Sequence, residues 1–147
     1  MRIVNKKASF EYILSDRFEA GVSLLGSEVK SLKSGHASLD GAFVKIINGE
    51  AYIINAQIFP YEHARPDKYD PKRTRKLLLH KKELLKISMK AKGENLTVVP
   101  VSWYNKGPRI KLEIAIAKGK KQYEKRASKK KEIEKRDLER QFRGKIK

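Results

Sequence analysis

The 147-residue sequence has no cysteine, which excludes disulfides and thiolate-bound metals. No run approaches the roughly 20 apolar residues of a membrane span. The opening Met1-Arg2-Ile3-Val4-Asn5-Lys6-Lys7 has no apolar signal-peptide core, so the cytoplasm is the simplest location and no membrane partner is expected. Only three histidines occur, His36, His63 and His80, far apart and without HxH, HxxxH or HExxH spacing. There is no DxD pair to hold two metals, no GxxxxGK[ST] phosphate loop and no GxSxG elbow. These absences disfavour an enzyme, and neither a cofactor nor a metal is expected.

What the chain has in excess is positive charge. It carries 35 Lys and Arg against 17 Asp and Glu, a net +18. Such a balance is the electrostatic footprint of a nucleic-acid binder. Residues 1–117 hold 21 basic and 12 acidic residues, whereas residues 118–147 hold 14 and 5. The last 30 residues therefore match the net charge of the preceding 117 in a quarter of the length. We expect an RNA-binding β-barrel domain over residues 1–117 and a basic tail over 118–147.

Within the body, Phe10, Tyr12 and Leu14 alternate as a half-buried strand would, and Ser15-Asp16 punctuates them. Glu19 to Leu25 forms a second extended run, in which Gly21 suggests a bulge. Ser27 and Glu28 suggest a helix start, with Ser27 as N-cap, and Gly35 is placed to end that helix. Two apolar runs flank Asn48-Gly49, a strong hairpin pattern because both residues tolerate positive φ. Leu84, Ile87 and Ala91 keep helical spacing and predict a helix over about 81–91. Two further strands, residues 96–104 and 110–117, are joined at Asn105-Lys106-Gly107-Pro108; the second points Ile110, Leu112, Ile114 and Ile116 inward. Six strands and two helices predict a mainly β fold, a small closed or nearly closed antiparallel barrel with short flanking helices. An open sheet with helices on one face is the competing architecture.

The most informative stretch is Ala117 to Arg126, AKGKKQYEKR. Lysines here offer phosphate-directed charge, Gly119 permits a turn or close approach, and Tyr123 offers a face on which a base stacks. A solvated strand end followed by a disordered tail is the plainer reading. Lys72 to Lys76, the pair Lys81-Lys82 and Lys118 to Lys121 are candidate phosphate contacts. Glu19 and Glu28 stand out as carboxylates in a basic body. Each fits either a local structural role (helix capping for Glu28, an ion pair for Glu19) or hydrogen bonding to RNA bases and sugars. Of the neighbours Trp103 and Tyr104, at least one is expected in the core. Leu138, Phe142 and Ile146 recur every four residues, so the tail is predicted to be disordered alone and helical against an acidic surface.

Five segments carry a resemblance: NKKA at Asn5 to Ala8, FEAG at Phe18 to Gly21, GSEVKSL at Gly26 to Leu32, RTRKLLLH at Arg73 to His80, and AKGKKQYEKR. Collinear and spread over nearly the whole chain, they resemble the small protein B (SmpB) or SsrA-binding protein family. That resemblance implies an oligonucleotide-binding-type barrel that binds the tRNA-like domain of transfer-messenger RNA in bacterial trans-translation. It further implies delivery to stalled 70S ribosomes with elongation factor Tu and GTP, and a tail that folds in the decoding centre and empty mRNA channel. By the same resemblance, Asn5, Lys6, Glu19, Leu78 and His80 belong to the RNA surface, with Gly119 and Lys120 beside them; Lys7, Lys118 and Lys121 join these as RNA-binding candidates for their charge. Tyr123, Glu124, Lys125 and Arg126 would meet the decoding centre. His80 stands where some family members have Asn, and Tyr123 where others have His. The free protein is expected to be a monomer. The alternatives are a ribosomal or translation-factor barrel that binds rRNA permanently and, far behind, an RNA-processing enzyme.

Overall fold

The computed structural model describes residues 1–61, 68–93 and 96–120, together with Ile133 and Arg136. Nine strands and three helices are found among them: β1 (Arg2–Val4), α1 (Lys6–Glu11), β2 (Tyr12–Val22), α2 (Gly26–Lys33), β3 (Ala37–Ser38), β4 (Phe43–Ile47), β5 (Glu50–Ile54), β6 (Gln57–Ile58), β7 (Arg75–Leu78), α3 (Lys81–Lys90), β8 (Leu96–Lys106) and β9 (Arg109–Gly119). The main sheet runs β1-β8-β4-β5-β7-β2-β9, and β9 pairs back onto β8. Six antiparallel strands therefore close on themselves, and β3 and β6 form a small pair outside the ring. The open-sheet alternative is set aside. Closure leaves the ring no continuous unpaired edge.

The hairpins follow from local chemistry. Asn48 and Gly49 have φ of 51° and 76°, the left-handed pair that a type I′ turn requires, and they join β4 to β5. The long β8–β9 hairpin turns at Gly107, φ 61°, with Lys106 opposite Arg109. Leu112, Ile114 and Ile116 are buried as their alternation predicts. Trp103, opposite Leu112, is wholly buried, while its neighbour Tyr104 lies at the surface margin. Leu32 of α2 and Ile87 of α3 are buried in the barrel's hydrophobic core cluster, each worth about 1.5–3 kcal/mol of burial.

Several expectations are corrected. Residues 6–11, partly read as strand, form α1, because Asn5 caps them: its Oδ1 accepts from Ala8 N–H at 3.3 Å. Ser15-Asp16 does not end the strand; β2 runs through, and its register against β9 shifts between Leu14 and Arg17. The bulge thus falls there and not at Gly21. Gly21 instead pairs with Leu78 and Lys111, and a Cβ on it would stand 3.3 Å from Leu78 Cβ. It is a close-approach position. Helix α2 opens at Gly26, with Leu25 rather than Ser27 as N-cap. At its other end Gly35 (φ 78°) makes the expected stop: its N–H reaches Leu32 O and that of His36 reaches Ser31 O. Strand β9 continues to Gly119, so Lys118 and Gly119 stand on the barrel wall.

Candidate RNA interface

The first group of candidate residues gathers where the barrel begins and ends. Asn5 is buried; besides capping α1 it donates Nδ2–H to Pro100 O at 2.9 Å, and its backbone N–H reaches Val101 O at 2.8 Å. It anchors α1 to β8, so its side chain is occupied in placing its neighbours. Lys6 and Lys7 follow in the first turn and are exposed. Across β2 and β9, Tyr12 lies opposite Gly119 and Ile13 opposite Lys118. Lys120 N–H donates to Glu11 O at 2.9 Å, and its ammonium donates to Ser9 O at 2.7 Å. Residues more than 100 positions apart in sequence thus place Lys6, Lys7, Lys118 and Lys120 at one end of the barrel. Such a cluster is suited to phosphate.

A second group lies on the outer face of β2, β7, β8 and β9. Glu19 accepts from the Tyr104 hydroxyl at 2.5 Å and from Lys106 Nζ at 3.1 Å. Those two hydrogen bonds hold its carboxyl below the usual carboxylate range, while burial and the Glu19 charge push the Tyr104 hydroxyl up. Glu113, its like-charged neighbour across β9, is offset by Arg17 at 2.8 Å. The local ion pair expected for Glu19 is therefore present, on an exposed carboxylate. Leu78 is 56% exposed and packs closely over Gly21, where Lys111 Nζ also approaches. His80 is exposed at the N-cap of α3, and its backbone N–H reaches Glu83 Oε1 at 3.4 Å. The sequence offers Tyr104 only as a candidate for the core, and Lys106 and Lys111 not as site residues. Alternation on β9 points Lys111 outward, but its approach to Gly21 depends on register.

The basic cluster Lys72 to Lys76 is corrected in part: Lys72 and Lys76 are exposed, but the two arginines turn inward. Arg75 is fully buried and donates Nε–H to Glu28 Oε2 at 2.7 Å; its other nitrogens reach Ala56 O, Arg73 O, Pro71 O and the Tyr69 hydroxyl. Arg73 also pairs with Glu28, and Lys76 pairs with Glu50 at 3.0 Å. Glu28, 1% exposed, further accepts from Leu25 N–H at 2.9 Å and from Tyr69. Burial works to raise its pKa, but the bonds from Arg73, Leu25 N–H and Arg75 outweigh this and hold it at about 2. Glu28 therefore caps α2 and ties it to β7; the base-reading alternative fails because the carboxylate is buried and saturated. Lys81 and Lys82 remain exposed on α3. Lys121, Tyr123, Glu124, Lys125 and Arg126 lie outside the described residues, as do His63 and the tail stripe. Among the described residues no group of three or more His, Asp or Glu could hold a metal. No helix among them is long and apolar enough to cross a membrane.

A closed, basic antiparallel barrel with a lysine cluster at one end and a Tyr–Glu–Lys face beside it defines an oligonucleotide-binding-type RNA-binding protein. A family model described as SmpB protein matches residues 2–144. The SsrA-binding protein of Sulfurihydrogenibium sp. strain YO3AOP1 is 50% identical over 143 residues, covering 97% of this chain and 94% of its own. Those of Persephonella marina and Aquifex aeolicus are 48% and 46% identical with the same share of this chain, and 94% and 91% of their own. A chain of the solved structure described as "tmRNA-SmpB: a journey to the center of the bacterial ribosome" superposes with a TM-score of 0.70 at 38% identity, covering 82% of this chain and 85% of that one. The chain belongs to the SmpB family, whose members are RNA-binding proteins and not enzymes.

Proposed function

We propose that the chain is a noncatalytic adaptor for ribosome rescue: it binds transfer-messenger RNA through the barrel and meets the ribosome through its tail. The observation that carries this reading is the pairing of Tyr12 with Gly119, which sets Lys6 and Lys7 beside Lys118 and Lys120. Relatives named SsrA-binding proteins, and a neighbour named with tmRNA and the bacterial ribosome, support the choice of RNA and of partner. In this reading the tRNA-like domain of that RNA lies across α1 and the outer face bearing Glu19, Leu78 and His80. Lysines hold phosphates, while the Glu19 carboxylate, which repels phosphate, accepts from a base or a 2′-hydroxyl. In this reading the barrel runs through Gly119, two residues past the 117/118 division expected from charge, and the tail begins beyond Lys120. Tyr123, Glu124, Lys125 and Arg126 contact the decoding centre, and the later tail enters the empty mRNA channel. The cytoplasmic complex that arrives at a stalled 70S ribosome also contains elongation factor Tu and GTP, and the free protein is a monomer.

Truncation after Ala127 tests this division. RNA affinity stays within about threefold while rescue of stalled ribosomes is abolished; loss of RNA binding would refute the two-surface arrangement. Stoichiometric co-purification with unstalled ribosomes would favour the permanent rRNA-binding barrel instead.

A further inference from the structure

Beside the lysine cluster, a half-enclosed cavity of about 220 Å³ lies between α1 and the outer wall of the barrel. We propose that this pocket takes one unstacked RNA base carrying an exocyclic amine. The proposal rests on the RNA-binding reading above and adds a site and a base preference to it.

Size is the first argument. Pockets for drug-sized ligands run to about 300–1,000 Å³, so this one suits a single ring system and not a stack of bases. The second argument is the lining. Tyr12 and Phe43 supply two aromatic rings, while Ala8 and Val99 supply apolar wall. Opposite Tyr12 stands Gly119, so the directly opposed residue adds no side chain there; the tyrosine is half-buried against Ala8, Val99 and Ala117. A partly exposed ring beside a basic surface is the usual platform for an unstacked base.

The third argument is the polar content. Lys7 and Glu11 lie one helical turn apart on α1 and both line the cavity. Neither has an ion-pair partner among the described residues. A lysine takes the phosphate of the entering nucleotide, whereas a carboxylate only accepts hydrogen bonds and so selects a base that donates. Cytosine, adenine and guanine present an exocyclic amine; uracil donates only through its ring N3–H, which lies between two carbonyl oxygens that repel a carboxylate. Lys6, Lys118 and Lys120 stand nearby for the flanking phosphates.

The test uses the full chain and two probes that share a ring and a phosphate, CMP and UMP. Backbone amide shifts are followed by NMR. The expected result is perturbation at Ala8, Tyr12, Phe43 and Thr97, with CMP bound about tenfold more tightly than UMP, the size of one hydrogen bond to a charged group. Glu11→Leu, at an exposed helix end, brings that ratio close to one without moving the melting temperature. The ratio on the unaltered chain decides the matter even where the variant folds poorly. Equal affinities, or shifts confined to Lys6 and Lys118, would mean phosphate contact only and overturn the pocket. If structured RNA still binds in that case, the pocket alone fails; if the unaltered chain binds no structured RNA, the RNA-binding reading fails first.

Discussion

Replacing Glu28 by glutamine removes one negative charge from a site where the Arg75 guanidinium has no access to water. The shape and part of the hydrogen bonding survive, so the loss isolates the charge. In the folded protein the carboxyl titrates at about 2, against 4.5 for the unconstrained group. A gap of about 2.5 pH units is worth about 3 kcal/mol, at about 1.4 kcal/mol per unit. That figure agrees with the roughly 3–5 kcal/mol lost when one partner of a buried pair is removed. Since the folded-state value is depressed, the contribution is complete above the unfolded value of 4.5 and disappears as pH falls through about 2. Urea unfolding across this range is the assay. The native chain should lose about 3 kcal/mol of stability relative to Glu28→Gln between about pH 5 and about pH 2, the two converging at the acid end. The comparison with the variant matters because Asp16, Glu19 and Glu50 are also depressed and add their own slope. A double change, Glu28→Met with Arg75→Met, should recover part of the loss, because the charge then left unpaired, that of Arg73, is partly exposed whereas that of Arg75 is fully buried. A single variant within about 1 kcal/mol of the native chain at neutral pH, or one with an unchanged pH slope, would refute the reasoning.

Two further outcomes are expected. Tyr104→Phe removes the first hydrogen bond to Glu19, so the Glu19 carboxyl should titrate at higher pH by NMR, and affinity for structured RNA should fall severalfold with little change in melting temperature. Asn5→Ala deletes the α1 cap and leaves Pro100 O without its donor; it should cost about 1–2 kcal/mol in denaturant melts and raise amide exchange at Ala8.

Much of the barrel is legible in the sequence because its determinants are local. Asn48-Gly49 needs no distant partner to specify a turn, and Leu112, Ile114 and Ile116 mark their own inner face. Helix α1 escapes notice because six residues, of which only Ala8 is buried, give no periodic stripe; Asn5 three residues before Ala8 is the cue that was available. Strands β3 and β6, two residues each, are too short to carry a pattern. The harder failure is Arg73 and Arg75. Lysine and arginine runs look alike whether they face solvent or a carboxylate folded back from 45 residues away, and nothing adjacent to Arg75 announces Glu28. The same limit hid Tyr104, Lys106 and Lys111, since the face they share with Glu19 exists only once β2, β8 and β9 are in register. Their proximity is a product of closure.

The two bonds from Lys120 to the backbone of Ser9 and Glu11 have a mechanical meaning. They fasten the point where the chain exits the barrel to the helix near its entrance. Lys120 and the end of α1 should therefore keep or lose their order together, and a change at either of them is felt at the other without any break in the pairing of the six-stranded ring.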